Sequence, residues 1–231
     1  MKSLITDNFV INYQTELDEF IQDALAIFNQ QVTSILDIFG ELPKQKITAS
    51  FFVERDAFVD YIKKITNGSI PPAWAIGCFY NGEIQTLINI NNKASLNSKK
   101  HILTHEFVHL CINNAIYDRY GIDRIRWLDE SFAGYLDGHT DTITPDKLQA
   151  VVHSLEELEN FDVNVLNDPN KIKTETYNGY DIFVIIGKYI FKNNLAKDYL
   201  EKLKNNPAQI INLGKNILGT AIDYVKSTVS N

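Results

Sequence analysis

Cysteine is scarce in this sequence. Cys78 and Cys111 are the only two, and no CxxC pair occurs. Two thiols cannot make a disulfide framework, so the chain must be held by burial, and both are expected to be reduced, buried, small apolar side chains. Long hydrophobic runs are also missing. The longest apolar stretch, residues 182–191, is interrupted by Gly187 and Lys188, well short of the ~18 residues that suggest a membrane helix. No long basic run appears, and the formal net charge is −7. An acidic chain lacks the electrostatic footprint of a nucleic-acid binder and is a poor match for an anionic membrane. Asp7 arrives before an apolar signal-peptide core could form, so the expected location is cytoplasmic. Internal repeats and low-complexity segments are absent too.

What is present is ordinary globular material: 231 residues, 45% hydrophobic and 22% charged. That is enough to bury a core without covalent staples. Residues 14–39 place Phe20, Leu25, Phe28, Val32, Ile35 and Ile38 at helical spacing, until Gly40 and Pro43 stop the pattern. Residues 46–53 are β-branched and aromatic and read as a strand. Residues 56–65 return to helical spacing. Two strand-like runs, 73–80 and 83–90, flank Asn81-Gly82, whose tolerance of positive φ suits a hairpin turn. A polar connector, 91–98, follows, and then helices dominate: 99–117, 128–138, 144–160, 180–193, 197–204 and 216–226. Thr144-Pro145 offers an N-cap with proline at the first helical position. The expected architecture is α+β in one catalytic domain, with a small sheet and its helices over 1–96 and a mostly helical part over 97–231.

His105-Glu106-Phe107-Val108-His109 is an HExxH motif. Histidines at i and i+4 stack on one face of a helix, so their imidazoles can converge on one ion at about 2.0–2.1 Å each. Glu106 falls at the edge of that face, close to the metal without being aimed at it, and is placed to take a proton from metal-bound water. The flanking Ile102, Leu103, Phe107, Val108, Leu110 and Ile112 predict a buried helix, whose polar stripe needs a partner such as a metal. His101 continues the series four residues earlier and reads as a surface residue of the first turn, with Ser98 as cap.

A catalytic zinc has three protein ligands plus water. The extended motif HExxHxxGxxH is excluded, because Ile112 and Ala115 stand where it needs glycine and histidine. A carboxylate from a second helix is the alternative. Glu130 in Trp127-Leu128-Asp129-Glu130-Ser131-Phe132-Ala133-Gly134-Tyr135 supplies one, with Ala133 and Gly134 as small neighbours that permit close helix approach. Twenty residues separate His109 from Glu130, enough to finish one helix, turn near Gly121 and begin another.

This pairing resembles the gluzincin metallopeptidases, and most closely their compact peptidase MA-like branch. It is also similar to the catalytic core of the zinc aminopeptidases. The resemblance spans about residues 75–205, with Asp129 and Ser131 as small departures. It implies a zincin-like, thermolysin-like core with one Zn²⁺ on His105, His109 and Glu130, Glu106 as general base, and a peptide or protein substrate. It also implies an oxyanion-stabilising tyrosine near the start of a later helix. Tyr177 matches that position best and Tyr180 is the near alternative, with His101 and His153 next in line. Substrate would add as a strand along a sheet edge, for which residues 75–80 are the candidate. Met1 is the only methionine, so the Gly-x-Met-Glu-Asn segment by which the aminopeptidases grip a free amine is missing. No acid stands four residues after Glu130 to support a zinc histidine. The competing expectation is a non-catalytic zinc protein of the same fold, acting as a binding or regulatory module. Intact Glu106 and only three ligands favour the enzyme.

Overall fold

The computed structural model describes residues 1–40, 45–71, 73, 75–80, 83–142 and 144–229. The fold is α+β. Its elements run β1 (Lys2–Ile5), β2 (Phe9–Tyr13), α1 (Asp18–Phe39), β3 (Ile47–Phe52), α2 (Arg55–Ile65), β4 (Gly77–Tyr80), β5 (Glu83–Leu87), α3 (Lys93–Lys99) and α4 (Ile102–Ile112). A π-helical turn, Asn113–Tyr117, leads into α5 (Asp118–Tyr120). Then follow α6 (Arg126–Leu136), α7 (Pro145–Ser154), α8 (Gly179–Lys192), α9 (Ala196–Asn205), α10 (Pro207–Gly214) and α11 (Ile217–Val229). The chain divides into two compact units, 1–30 with 43–107 and 31–42 with 108–231.

In the first unit the five strands are ordered β1-β2-β3-β5-β4. The outer pairs, β1–β2 and β4–β5, are antiparallel, while β2–β3 and β3–β5 are parallel. Register explains the two faces. Phe9, Ile11 and Tyr13 lie opposite Ile47, Ala49 and Phe51, so these alternating residues share one face. Phe9, Phe28 and Phe107 form an edge-to-face ring cluster on it, joined by Phe20 against Phe51. On the opposite face Phe52 packs with Phe58 and Ile62 of α2. The hairpin β1–β2 and helix α3 were not foreseen. Helix α3 occupies the expected polar connector and is capped by the Asn92 side chain, which accepts from Ser95 N–H at 3.0 Å. Ser98 lies within α3 and donates to the Ser95 carbonyl, so it does not cap α4. The Asn81-Gly82 turn and Pro43 lie outside the described residues, although the β4–β5 pairing is as expected.

The second unit is helical. Its centre is the pair α6 and α8. Residues Trp127 to Ala133 are all buried, and α8 buries Ile182, Phe183, Ile185, Ile186 and Ile190 against them. Phe191 of α8 stacks flat on Tyr135 at 4.4 Å and meets Phe132 edge-on at 5.0 Å. Gly187 sets the approach, because a Cβ there would collide with the Ser131 carbonyl oxygen. Gly134 is the more tolerant small residue, with Val184 Cγ2 3.9 Å from where its Cβ would sit. Thr144 caps α7 by accepting from Lys147 N–H, and Pro145 follows as expected. That helix ends at Ser154 rather than 160, and a 3₁₀ turn, Glu156–Leu158, continues it.

These two glycines give opposite expectations. Gly187→Ala forces backbone apart and should destabilise the protein by roughly 1–3 kcal/mol. Gly134→Ala should be neutral or stabilise by up to about 1 kcal/mol, from helix propensity alone. Denaturant unfolding of the two variants checks this. Equal midpoints would mean that α6 and α8 are not packed as described.

Candidate metal centre

Burial along α4 alternates with helical period. Leu103, Phe107, Val108, Cys111 and Ile112 are buried, while His101, His105, Glu106, His109 and Leu110 form the partly open stripe. Both motif histidines and the glutamate are therefore on the accessible side, carried there by one unbroken helix. Cys111 is on the buried side as a free thiol, and burial pushes its pKa up to about 12. Burial also pulls the Lys99 ammonium below its usual value, against the opposing pull of the Glu106 carboxylate.

The connection from α4 to α6 is built locally. Gly121, at φ +63°, reverses the chain after α5. The Tyr117 hydroxyl then clasps the returning strand, accepting from Ile125 N–H at 3.3 Å and donating to the Ile125 carbonyl at 3.4 Å. The first turn of α6 is propped by Asn167, whose side chain accepts from Trp127 N–H, and by Asn164, which accepts from the Trp127 indole at 3.1 Å. Orphan N–H groups at a helix start are thus partnered, and α6 is anchored where its acids are needed.

His105, His109 and Glu130 each offer one ligand atom, and these atoms all lie within 4.8 Å of one another. His109 Nε2 and Glu130 Oε2 are 3.7 Å apart. Two donors on a tetrahedral ion at 2.0–2.1 Å would be ~3.4 Å apart, close to the spacing of this pair, so the group could hold a metal ion. The three expected ligands are brought together.

Asp129 is the functional residue that the sequence reading missed. It is fully buried, and its Oδ1 lies 2.9 Å from His109 Nδ1. That nitrogen therefore carries the proton and donates it, which turns Nε2 toward a metal. The signal was available, since Asp129 immediately precedes the third ligand, but the support had been sought four residues after Glu130. Arg124 was also missed. Its Nε pairs with Asp129 Oδ2, and its Nη2 lies 3.2 Å from Glu130 Oε1. Arg126 Nη1 is 3.7 Å from the same oxygen. Burial lowers the pKa of His109, but Asp129 and Glu130 outweigh it and the value is pushed up to about 9.

The Tyr177 hydroxyl donates to the Lys171 carbonyl at 2.8 Å, and its ring packs edge-on against Phe161. Tyr180, in the first turn of α8, is 54% exposed. His153, on α7, has an 82% exposed side chain and pairs with Glu156 at 3.2 Å.

The raised His109 value fixes the sign of a pH effect. Without metal, His109 holds a proton at neutral pH that a metal must displace. Metal uptake at pH 7 should release about one proton from this residue, and affinity should climb roughly tenfold per pH unit up to about pH 9. That proton also stabilises the metal-free fold. Its contribution is full below the ordinary histidine value of 6.5 and lost as pH rises through about 9. Titration calorimetry in buffers of different ionisation enthalpy counts the proton, and a count of zero would place His109 neutral beside Asp129.

Neither a protein-family model nor a curated protein matches this chain.

Proposed function

We propose that the protein is a zinc-dependent peptidase with a gluzincin-like, zincin-type core. The observation that carries this reading is the convergence of His105, His109 and Glu130, with Glu106 on the same open stripe of α4. A bound zinc ion would act as a Lewis acid toward a carbonyl and make water held beside it more acidic. Glu106 would accept the proton of the attacking water and deliver it to the leaving amine. Asp129 would keep His109 in one tautomer throughout. Strand β4 lies at the edge of its sheet, where an extended peptide could be held by backbone hydrogen bonds. Three protein ligands suit a catalytic site, whereas a structural zinc usually has four.

Two substitutions separate the peptidase from a non-catalytic zinc protein. Glu106→Gln should keep about one zinc per chain and lose peptide hydrolysis by roughly 10²–10⁴-fold, the usual worth of a positioned acid–base group. Glu130→Ala should instead lose the metal, as read by elemental analysis. Hydrolysis at the wild-type rate in Glu106→Gln would remove that residue as base. If wild-type protein binds zinc but cleaves nothing in a peptide library, the binding-module reading stands.

An oxyanion donor must have a hydroxyl proton to give. Tyr177 donates its own to the Lys171 carbonyl and would have to give up that bond to serve, so Tyr180, the near alternative, is tested beside it. Once a substrate is found, Tyr177→Phe and Tyr180→Phe are compared, and the oxyanion donor is the one whose loss lowers kcat by roughly 10²–10³-fold with little change in KM. Two silent variants would move the donor to another residue.

A further inference from the structure

Arg124 lies in the short return between Gly121 and α6, a segment pinned by the Tyr117–Ile125 hydrogen bonds. Its guanidinium touches both acids of the Asp129-Glu130 pair, through Nε to Asp129 Oδ2 and through Nη2 to Glu130 Oε1. The same Nη2 is 3.5 Å from His109 Nδ1. The two carboxylates are therefore wired alike. Each has one oxygen on Arg124 and the other turned to the His109 ring, Asp129 Oδ1 to Nδ1 at 2.9 Å and Glu130 Oε2 to Nε2 at 3.7 Å.

We propose that Arg124 is a positioning residue for the metal, one that makes Glu130 a single-oxygen ligand and, through Asp129, fixes the rotation of His109. This rests on the metal-binding reading above but not on peptidase activity. The chemistry is specific to arginine. A planar guanidinium presents several N–H donors at fixed angles and can serve two carboxylates at once, which an ammonium cannot do with the same geometry. It also sets one cation against two adjacent acids with almost fully buried side chains, 1% and 9% exposed. Arg126 adds a second cation near the same Glu130 oxygen at 3.7 Å. With Oε1 on the guanidinium, Oε2 is the oxygen on the His109 Nε2 side, where the ion would sit. If Arg124 were removed, of the two guanidinium groups only the more distant Arg126 would hold Oε1, and that oxygen could swing toward the ion and compete with water for it.

Cobalt(II) is a suitable probe, because its visible absorption is strong when four-coordinate and weaker as the coordination number rises. Arg124→Ala and Arg124→Lys would be compared with wild type for Co²⁺ affinity by chelator competition, for the visible spectrum, and for metal-free thermal stability. Both variants should bind Co²⁺ roughly 10–100-fold more weakly, the usual cost of losing a partner of a metal ligand, and should absorb less per bound ion. If Arg124→Ala does not fold, Arg124→Lys decides, since it keeps the charge and loses only the fork. Wild-type affinity and an unchanged spectrum in the folded variants, even with a lowered metal-free Tm, would mean an ordinary structural ion pair and overturn the proposal. Wild-type protein that takes up no Co²⁺ would remove the metal reading itself, and this inference with it.

Discussion

Asp129 is a carboxylate with no access to water, and its neighbourhood is organised by the need to satisfy it. A buried charge is tolerated only when paired and hydrogen-bonded, and stripping one partner from such a pair costs on the order of 3–5 kcal/mol. Asp129 spends one oxygen on His109 and the other on Arg124. Those demands reach backward along the chain. Arg124 must return to α6 at the right height, which explains the αL turn at Gly121 and the Tyr117 clasp on Ile125. The π-helical turn that precedes Tyr117 adds a residue to the helical path before that clasp. Such turns recur near functional sites, and this one follows directly on the HExxH helix.

The second constraint is steric. Helix α6 carries Glu130 on one side and must bury Leu128, Phe132 and Leu136 on others, so it is enclosed nearly all round. Gly187 lets α8 come within backbone contact of Ser131, and Ser131 turns its hydroxyl onto the Trp127 carbonyl at 2.6 Å rather than into that contact. A ligand on a helix clamped in this way has little freedom to drift. Metal sites need such rigidity, because their donors must stay within a few tenths of an ångström of the coordination distance.

The parts of the structure legible in the sequence were those with strong local signals. The HExxH spacing, the long amphipathic pattern of α1, the Thr144-Pro145 start of α7 and the cluster from Trp127 to Tyr135 each carry periodicity or capping chemistry. The hairpin β1–β2 was overlooked although Phe9, Ile11 and Tyr13 alternate cleanly with Val10 and Asn12. Five residues are a short window, and Phe-Val-Ile reads equally as the edge of a helix. Helix α3 was hidden by its polar composition, with none of its residues buried. Arg124 was illegible for another reason. An arginine in a loop is ordinarily solvated, and only the tertiary return of the chain brings it onto the Asp129-Glu130 pair.

Charge balance is the last step. Around His109 stand two carboxylates, Asp129 and Glu130, and two guanidinium groups, Arg124 and Arg126. These four side chains cancel, so without metal the excess positive charge at His109 is its own displaceable proton. A divalent cation replacing that proton raises the local charge by one unit net. The next acid along the open stripe of α4 is Glu106, and it is not engaged by either arginine. A purely structural centre would gain stability by drawing that carboxylate in as a fourth ligand. Glu106 falls one residue beyond His105 on the helix, at the margin of the face that carries the two histidines. A group of side chains whose own charges cancel, able to take a divalent cation in exchange for one proton, is the arrangement on which the proposed role of Glu106 rests.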